Sequence, residues 1–281
     1  MPTYSVNAVN VASFPLGETD KVVTVFSAEK GLIKCVAKGA RKPGSKIGGR
    51  AELLNVNKLL LASGRTFEII SQAETLETFA KLRGDLERLA YSLYYAELTS
   101  IFGQGLNEEA SAYFDFLVMS LRYQCLSESD PAYLCLMFEL TMLDILGYKP
   151  ELTVCVNCRS VLNDHVLAGF HFDLGGMICE RCHLEGKRVK VGLRVAEDEG
   201  IYETPGVDKL DKHVTPLVWK RLVLASLGSE VPNASLESDP VKRATRAAHR
   251  VIEGYIEYKA GRRIKSLQLL EATTSSHTQT G

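Results

Sequence analysis

Over the first 78 or so residues, apolar and polar positions tend to alternate. Tyr4, Val6 and Ala8 recur at every second position and run into Val9-Asn10-Val11, and the stretch 21–26 is a β-rich run of Val, Thr and Phe. Residues 31–38 alternate again after a Glu29-Lys30-Gly31 turn, which predicts a hairpin. The stretches 53–62 and 66–71 form a second pair around Ser63-Gly64-Arg65. Strands this short and this close together predict a small barrel or sandwich. Between the two pairs, residues 39–50 hold four glycines and Pro43, the composition of a mobile loop.

From about residue 80 the apolar period lengthens to that of a helix. Leu82, Leu86, Leu89 and Leu93 form one stripe, and Phe114, Leu117, Val118 and Leu121 form another, opened by Asn107-Glu108-Glu109. Asp130-Pro131 sets an N-cap before a proline at the first helical position. The helix expected over 133–146 is apolar on nearly every side, which places it at the centre of a bundle, and Gly147 ends it. Residues 151 to about 186 interrupt this rhythm with turns and short strands. Helices return over 214–227 and from Asp239-Pro240 to about Lys259. The expected organisation is α+β: a β domain over 1–79, an all-α bundle in two parts, 80–150 and 188–268, a cysteine-bearing insert over 151–187, and a disordered polar tail over 269–281.

Charge changes this picture locally. The chain carries 33 Lys and Arg against 34 Asp and Glu, so the total gives no sign of a polyanionic partner. Yet residues 30–50 contain seven basic residues and no acidic one. Lys34, Lys38, Arg41, Lys42, Lys46 and Arg50 fall on one hairpin and its loop, where cations and glycine amides can follow a phosphate backbone. Arg65, Lys81, Arg83 and Arg88 extend that surface. The alternative is a solvated loop of ordinary charge. A second basic group, Lys242, Arg243, Arg246 and Arg250, recurs at helical spacing and reads as a solvated face or as a partner surface. Trp219, alone on a predicted helix, is a core residue or a stacking platform.

The cysteines carry the strongest motif. Cys155-Val-Asn-Cys158 and Cys179-Glu-Arg-Cys182 are separated by a span that a hairpin can close, which brings four thiolates to one tetrahedral ion. Four thiolates leave no open position for water, so one Zn2+ held there is structural. A redox dithiol pair or a set of inert core cysteines is the competing reading, and His165, His171 and His183 lie near enough in sequence to substitute as ligands. Cys35, Cys125 and Cys135 fit strand or helix patterns as small core residues. No run of about 18 apolar residues is present, and the start of the chain lacks signal-peptide blocks, so the expected place is the cytoplasm, with no membrane contact. Gly39-x4-Gly44 has the glycine spacing of a phosphate-binding loop, but Ser45-Lys46 follows in the wrong order and no helix start succeeds it. Metalloprotease, serine-hydrolase and zinc-deaminase patterns are all missing.

Local sequence adds a resemblance. The stretches 16–26 and 36–41 (Val-Ala-Lys-Gly-Ala-Arg), together with Lys30-Gly31, resemble the RecO family of bacterial recombination mediators. Leu146-Gly-Tyr-Lys-Pro150 before the first cysteine pair, Gly175-Gly-Met-Ile-Cys179 and Lys265-Ser266 also match it. The resemblance implies that the β domain is an OB-fold, that the insert is a four-cysteine zinc finger, and that the chain has no enzyme activity. It implies binding of single- and double-stranded DNA, annealing of complementary strands, and help in loading RecA at the nucleoid. Its implied partners are RecR and the C-terminal tail of the single-stranded-DNA-binding protein. A basic-rimmed apolar groove would receive that tail, with Arg122 as a candidate. The competing reading, of another class, is a zinc-ribbon adaptor that binds proteins alone.

Overall fold

The structure is a computed structural model that describes residues 2–106, 108–193, 210–228 and 231–270. All but the first two residues of the expected tail lie outside that range, as do residues 194–209. Packing groups the chain into two compact units. One runs from Met1 to Ser127 and resumes at Arg263, and the other comprises Glu128–Arg262.

In the first unit, β1 (Thr3–Leu16), β2 (Asp20–Ser27), β3 (Gly31–Ala37), β4 (Val56–Ala62) and β5 (Glu68–Glu77) close a barrel in the order β1-β2-β3-β5-β4. This is the expected OB-type barrel. Alternation builds it: Val6, Ala8, Val23, Val25, Cys35, Ala37, Leu59, Leu61 and Ala73 turn inward to one core. β1 is long enough to serve two neighbours. It pairs with β4 through Thr3–Val9 and with β2 from Ala8 to Leu16, and a register irregularity between Asn10 and Ala12 lets it bend between them. The parallel β3–β5 pairing completes the ring.

The connection over 39–50, expected as a mobile loop, is a built element. Its last part is a one-turn helix, α1 (Lys46–Arg50), whose N-cap Ser45 accepts from the Gly48 N–H at 3.2 Å. Ala40 and Ala51 belong to the barrel core and Ile47 packs against it. Three buried asparagines receive the carbonyl end of this turn. Asn10 donates to the Arg50 and Glu52 carbonyls at 2.7 and 2.8 Å, Asn57 to Arg50 O at 3.0 Å, and Asn55 to Gly49 O at 2.8 Å. A Cβ on Gly48 would stand 2.5 Å from the Ala40 carbonyl oxygen. The glycine there serves close packing, which composition alone reads as looseness.

Two helices complete this unit. α2 (Leu86–Phe102) starts at Asp85, whose carboxylate accepts from Arg88 N–H. Its buried face is Ala90, Tyr91, Tyr94, Tyr95 and Leu98. The leucine stripe read from sequence is therefore corrected: Leu86 is exposed and Leu89 and Leu93 are half-buried. α3 (Ala110–Leu126) buries Phe114, Leu117, Val118 and Leu121 as expected. Tyr113 on α3 meets Phe26 of the barrel at 5.0 Å between ring centroids. The returning segment after Arg263 is held by the Glu97 carboxylate, which accepts from the Lys265 and Ser266 N–H groups at 3.0 and 2.7 Å.

The second unit has α4 (Pro131–Ile145) packed against α7 (Asp239–Ala260) and α6 (Pro216–Leu227). Asp130 caps α4 by accepting from Ala132 N–H at 2.8 Å. A small sheet of β6 (Leu167–His171), β7 (Gly176–Cys179) and β8 (Lys212–His213), ordered β7-β6-β8, and α5 (Glu180–Leu193) carry the cysteine insert. Trp219 is half-buried and donates its indole N–H to Leu152 O at 2.7 Å, so it braces the insert. No described helix is long and apolar enough to cross a membrane.

Candidate metal centre and nucleic-acid surface

Two tight turns present the cysteines. In the first, Arg159 takes a left-handed φ of 61° and its N–H reaches Cys155 O, while Cys155 N–H bonds Ser160 O, both at 2.9 Å. The chain therefore doubles back within the Cys155–Cys158 spacing. In the second, Cys179 ends β7 and Cys182 lies in the first turn of α5. There the helix N-terminus favours negative charge on the sulfur. Backbone bonds lock the two turns together: Met177 N–H to Glu151 O at 2.8 Å, and Val156 N–H to Met177 O at 2.9 Å. Gly176 permits that approach, since a Cβ there would stand 2.4 Å from Glu151 O.

The four sulfurs lie within 4.8 Å of one another, and Cys158 Sγ is 3.7 Å from Cys179 Sγ. Ligands about 2.3 Å from a tetrahedral zinc sit roughly 3.8 Å apart, so the donor set fits such an ion in both chemistry and size. The thiols are unequal before any metal binds. The Ser160 hydroxyl, at 3.0 Å, leads the causes that bring Cys158 down to about 5, while burial pushes Cys182 up to about 12 and also raises Cys179. The three neighbouring histidines stand outside the cluster. His165 is exposed, and buried His171 accepts from Leu174 N–H at 3.4 Å. Of the other cysteines, Cys35 and Cys135 are fully buried and Cys125 is half-buried.

A second group of metal-capable side chains, Cys135, Glu139 and His249, is buried between α4 and α7. Two of its three donors bond each other directly: His249 Nδ1 and Glu139 Oε2 are 2.9 Å apart. Glu139 and His249 thus serve as each other's hydrogen-bond partner.

The basic residues of the first unit are placed as follows. Lys34 is exposed on β3, and Lys38, Arg41, Lys42, Lys46 and Arg50 are exposed along the β3–β4 connection. Arg41 donates to Gly17 O at 2.7 Å, which ties the connection to the β1–β2 turn. Asp20 lies among them. The Gly39 N–H at 2.8 Å leads the causes that lower its pKa, the Thr19 hydroxyl follows, and Lys38 and Lys42 add to it. Arg65 is exposed at the β4–β5 turn, and Lys81 and Arg83 on a single 3-10 turn, Ala80–Gly84. Arg88 differs from the rest. Its side chain is largely covered, 3.3 Å from Asp85, and donates to Gln124 O at 3.0 Å. Arg122 forms a two-pronged pair with Glu77, with contacts of 3.1 and 2.8 Å. Sequence reasoning passed over Asn10, Asn55 and Asn57, because a buried amide that anchors a distant turn leaves no local pattern.

Comparison with known proteins gives one consistent result. Residues 1–79 match the family model described as Recombination protein O N terminal, and residues 83–194 the one described as Recombination protein O C terminal. The chain is similar to the DNA repair protein RecO of a Synechococcus species, 31% identical with 99% of this chain and 93% of the relative covered. It is similar also to that of Nostoc punctiforme, 30% identical with 96% of each covered. A third, from Symbiobacterium thermophilum, is 32% identical over 66% of this chain and 74% of its own.

Proposed function

The chain belongs to the RecO family of DNA repair proteins, and from that premise we propose that it is a non-enzymatic recombination mediator that grips DNA by its phosphates. It binds single and double strands, anneals complementary ones and assists loading of RecA. RecR and the tail of the single-stranded-DNA-binding protein are its proposed partners, and the cytoplasm its place of action. The observation that carries this reading is the exposed cationic connection Lys38–Arg50, anchored to a closed barrel by buried asparagines. A protein that anneals must hold strands while leaving base edges free, and backbone contacts from lysine and arginine do so without sequence preference.

Zinc is the proposed ion at Cys155, Cys158, Cys179 and Cys182. When bound it supplies a structural cross-link. The residues do the rest: the β7–α5 junction presents two sulfurs, and the Arg159 turn presents the other pair.

The deciding experiment is a titration of labelled single-stranded DNA across a salt series. Six phosphate contacts predict a log–log slope of roughly −4, and Lys42→Glu with Lys46→Glu should flatten it by at least ~1.4. A protein-only adaptor would give no such slope. Binding that ignores both salt and charge reversal would remove this reading.

A further inference from the structure

The ladder between β2 and β3 ends at Lys21 and Ala37, and the chain then turns out of the barrel into the cationic connection. Gly39 makes that turn, with a left-handed φ of 67°. Beyond the ladder its N–H needs a partner of another kind. Asp20, the first residue of β2, supplies it: Asp20 Oδ1 accepts from Gly39 N–H and from the Thr19 hydroxyl, both at 2.8 Å.

The same turn is tied twice more to the residues just before Asp20. Arg41 N–H donates to Thr19 O at 2.9 Å, and the Arg41 guanidinium to Gly17 O at 2.7 Å. The Gly39 carbonyl accepts from Lys42 N–H, and the Lys42 carbonyl from Ser45 N–H, both at 3.1 Å. A relay of bonds thus runs from Asp20 through Gly39 and Lys42 to Ser45, where α1 begins. The asparagines hold the far end of the connection and Asp20 holds the near one.

By charge alone, Asp20 has the opposite effect. It is an anion beside Lys38 and Lys42. A carboxylate there repels phosphate and offsets part of the attraction of the lysines. Neutralising it should strengthen DNA capture if charge decides, and weaken capture if the clamp decides.

We propose that Asp20 is a positioning residue of the DNA grip: its Oδ1 fixes the Gly39 turn, and with it the backbone from which Lys38, Arg41 and Lys42 project toward the phosphates. The inference rests on the backbone-binding reading above and adds to it an anion that the cations require. A connection already held in its binding form avoids the ordering cost when a strand arrives.

Asp20→Ala and Asp20→Asn each remove one negative charge, but only asparagine keeps an oxygen for the Gly39 N–H. Both are titrated with labelled oligothymidylate across a salt series, beside Glu18→Gln, which neutralises an exposed carboxylate nearby. The alanine variant should bind roughly 5- to 25-fold more weakly at 0.1 M salt, with a log–log slope flatter by about 0.7–1.4, the share of one to two phosphate contacts. The asparagine and Glu18 variants should bind at least as tightly as wild type, at unchanged slope. Hydrogen exchange should show the Gly39 amide losing protection with alanine and keeping it with asparagine. Thr19→Val strips a second bond from the same oxygen, and a smaller loss of affinity in the same direction is expected. Alanine binding as tightly as asparagine would overturn the proposal, as would, for an alanine variant that does not fold, Thr19→Val binding like wild type. A flat salt slope in the wild type would instead overturn the backbone reading beneath it.

Discussion

Glu139 and His249 meet inside the second unit, with both side chains buried, so their charge state is tied to folding. Burial opposes protonation of His249, but the charge and hydrogen bond of Glu139, helped by Glu253 and opposed by Arg250, leave its pKa raised. A raised histidine stabilises the folded form fully below its unfolded value of about 6.5 and loses that contribution as pH climbs through the folded value. Denaturant unfolding should therefore show this unit weakening as pH rises beyond about 6.5, and His249→Gln should remove that part of the pH dependence. Glu139→Ala should cost about 3 kcal/mol or more by removing the carboxylate that meets the buried imidazole. In the first unit, Gly48→Ala drives a methyl toward the Ala40 carbonyl, and a loss of about 1–3 kcal/mol is expected in thermal or chemical unfolding.

Elements differ in how openly their residues announce them. The barrel strands were readable because small and aliphatic residues recur at every second position, as at Val6 and Ala8, Val23 and Val25, Cys35 and Ala37, and Leu59 and Leu61, and the core takes them. α3 was readable because Phe114, Leu117, Val118 and Leu121, which lie at helical spacing, are all buried, although Tyr113 and Gln124 are buried beside them. The buried stripe of α2 was misread because tyrosines make its inner face, and a tyrosine counts as apolar or polar according to where its hydroxyl ends. The metal turns were the clearest feature, since two thiolate pairs at tight spacing have few other uses. The clamp at Asp20 was invisible, because its partner Gly39 stands 19 residues away in sequence. For the insert itself, the prediction concerns metal removal. Zinc binding contributes on the order of 10–16 kcal/mol in small cysteine domains, so chelation or Cys155→Ser should open 151–186 first. Hydrogen exchange at the amides of β6 and β7 reads this directly, and protection retained without metal would contradict it.

At the scale of the whole molecule, the two units make separable expectations. The proposed DNA-binding residues lie in the unit built on the barrel, and the cysteine centre lies in the other. A chelator should thus lower the melting temperature of the second unit while the salt-dependent capture of oligonucleotides persists. Glu97→Ala should act in the reverse sense. It frees two backbone amides 168 and 169 residues away in sequence, at about 1–3 kcal/mol, and spares the metal centre. That contact was unreadable in the sequence because nothing local marks a carboxylate as the anchor of so remote a segment. Since the chain leaves the barrel unit at Ser127 and re-enters it at Arg263, a cut at the exit also amputates the closing strap. A fragment that keeps the barrel unit whole accordingly needs both 2–127 and 263–270, and simple truncation at Ser127 loses the second stretch.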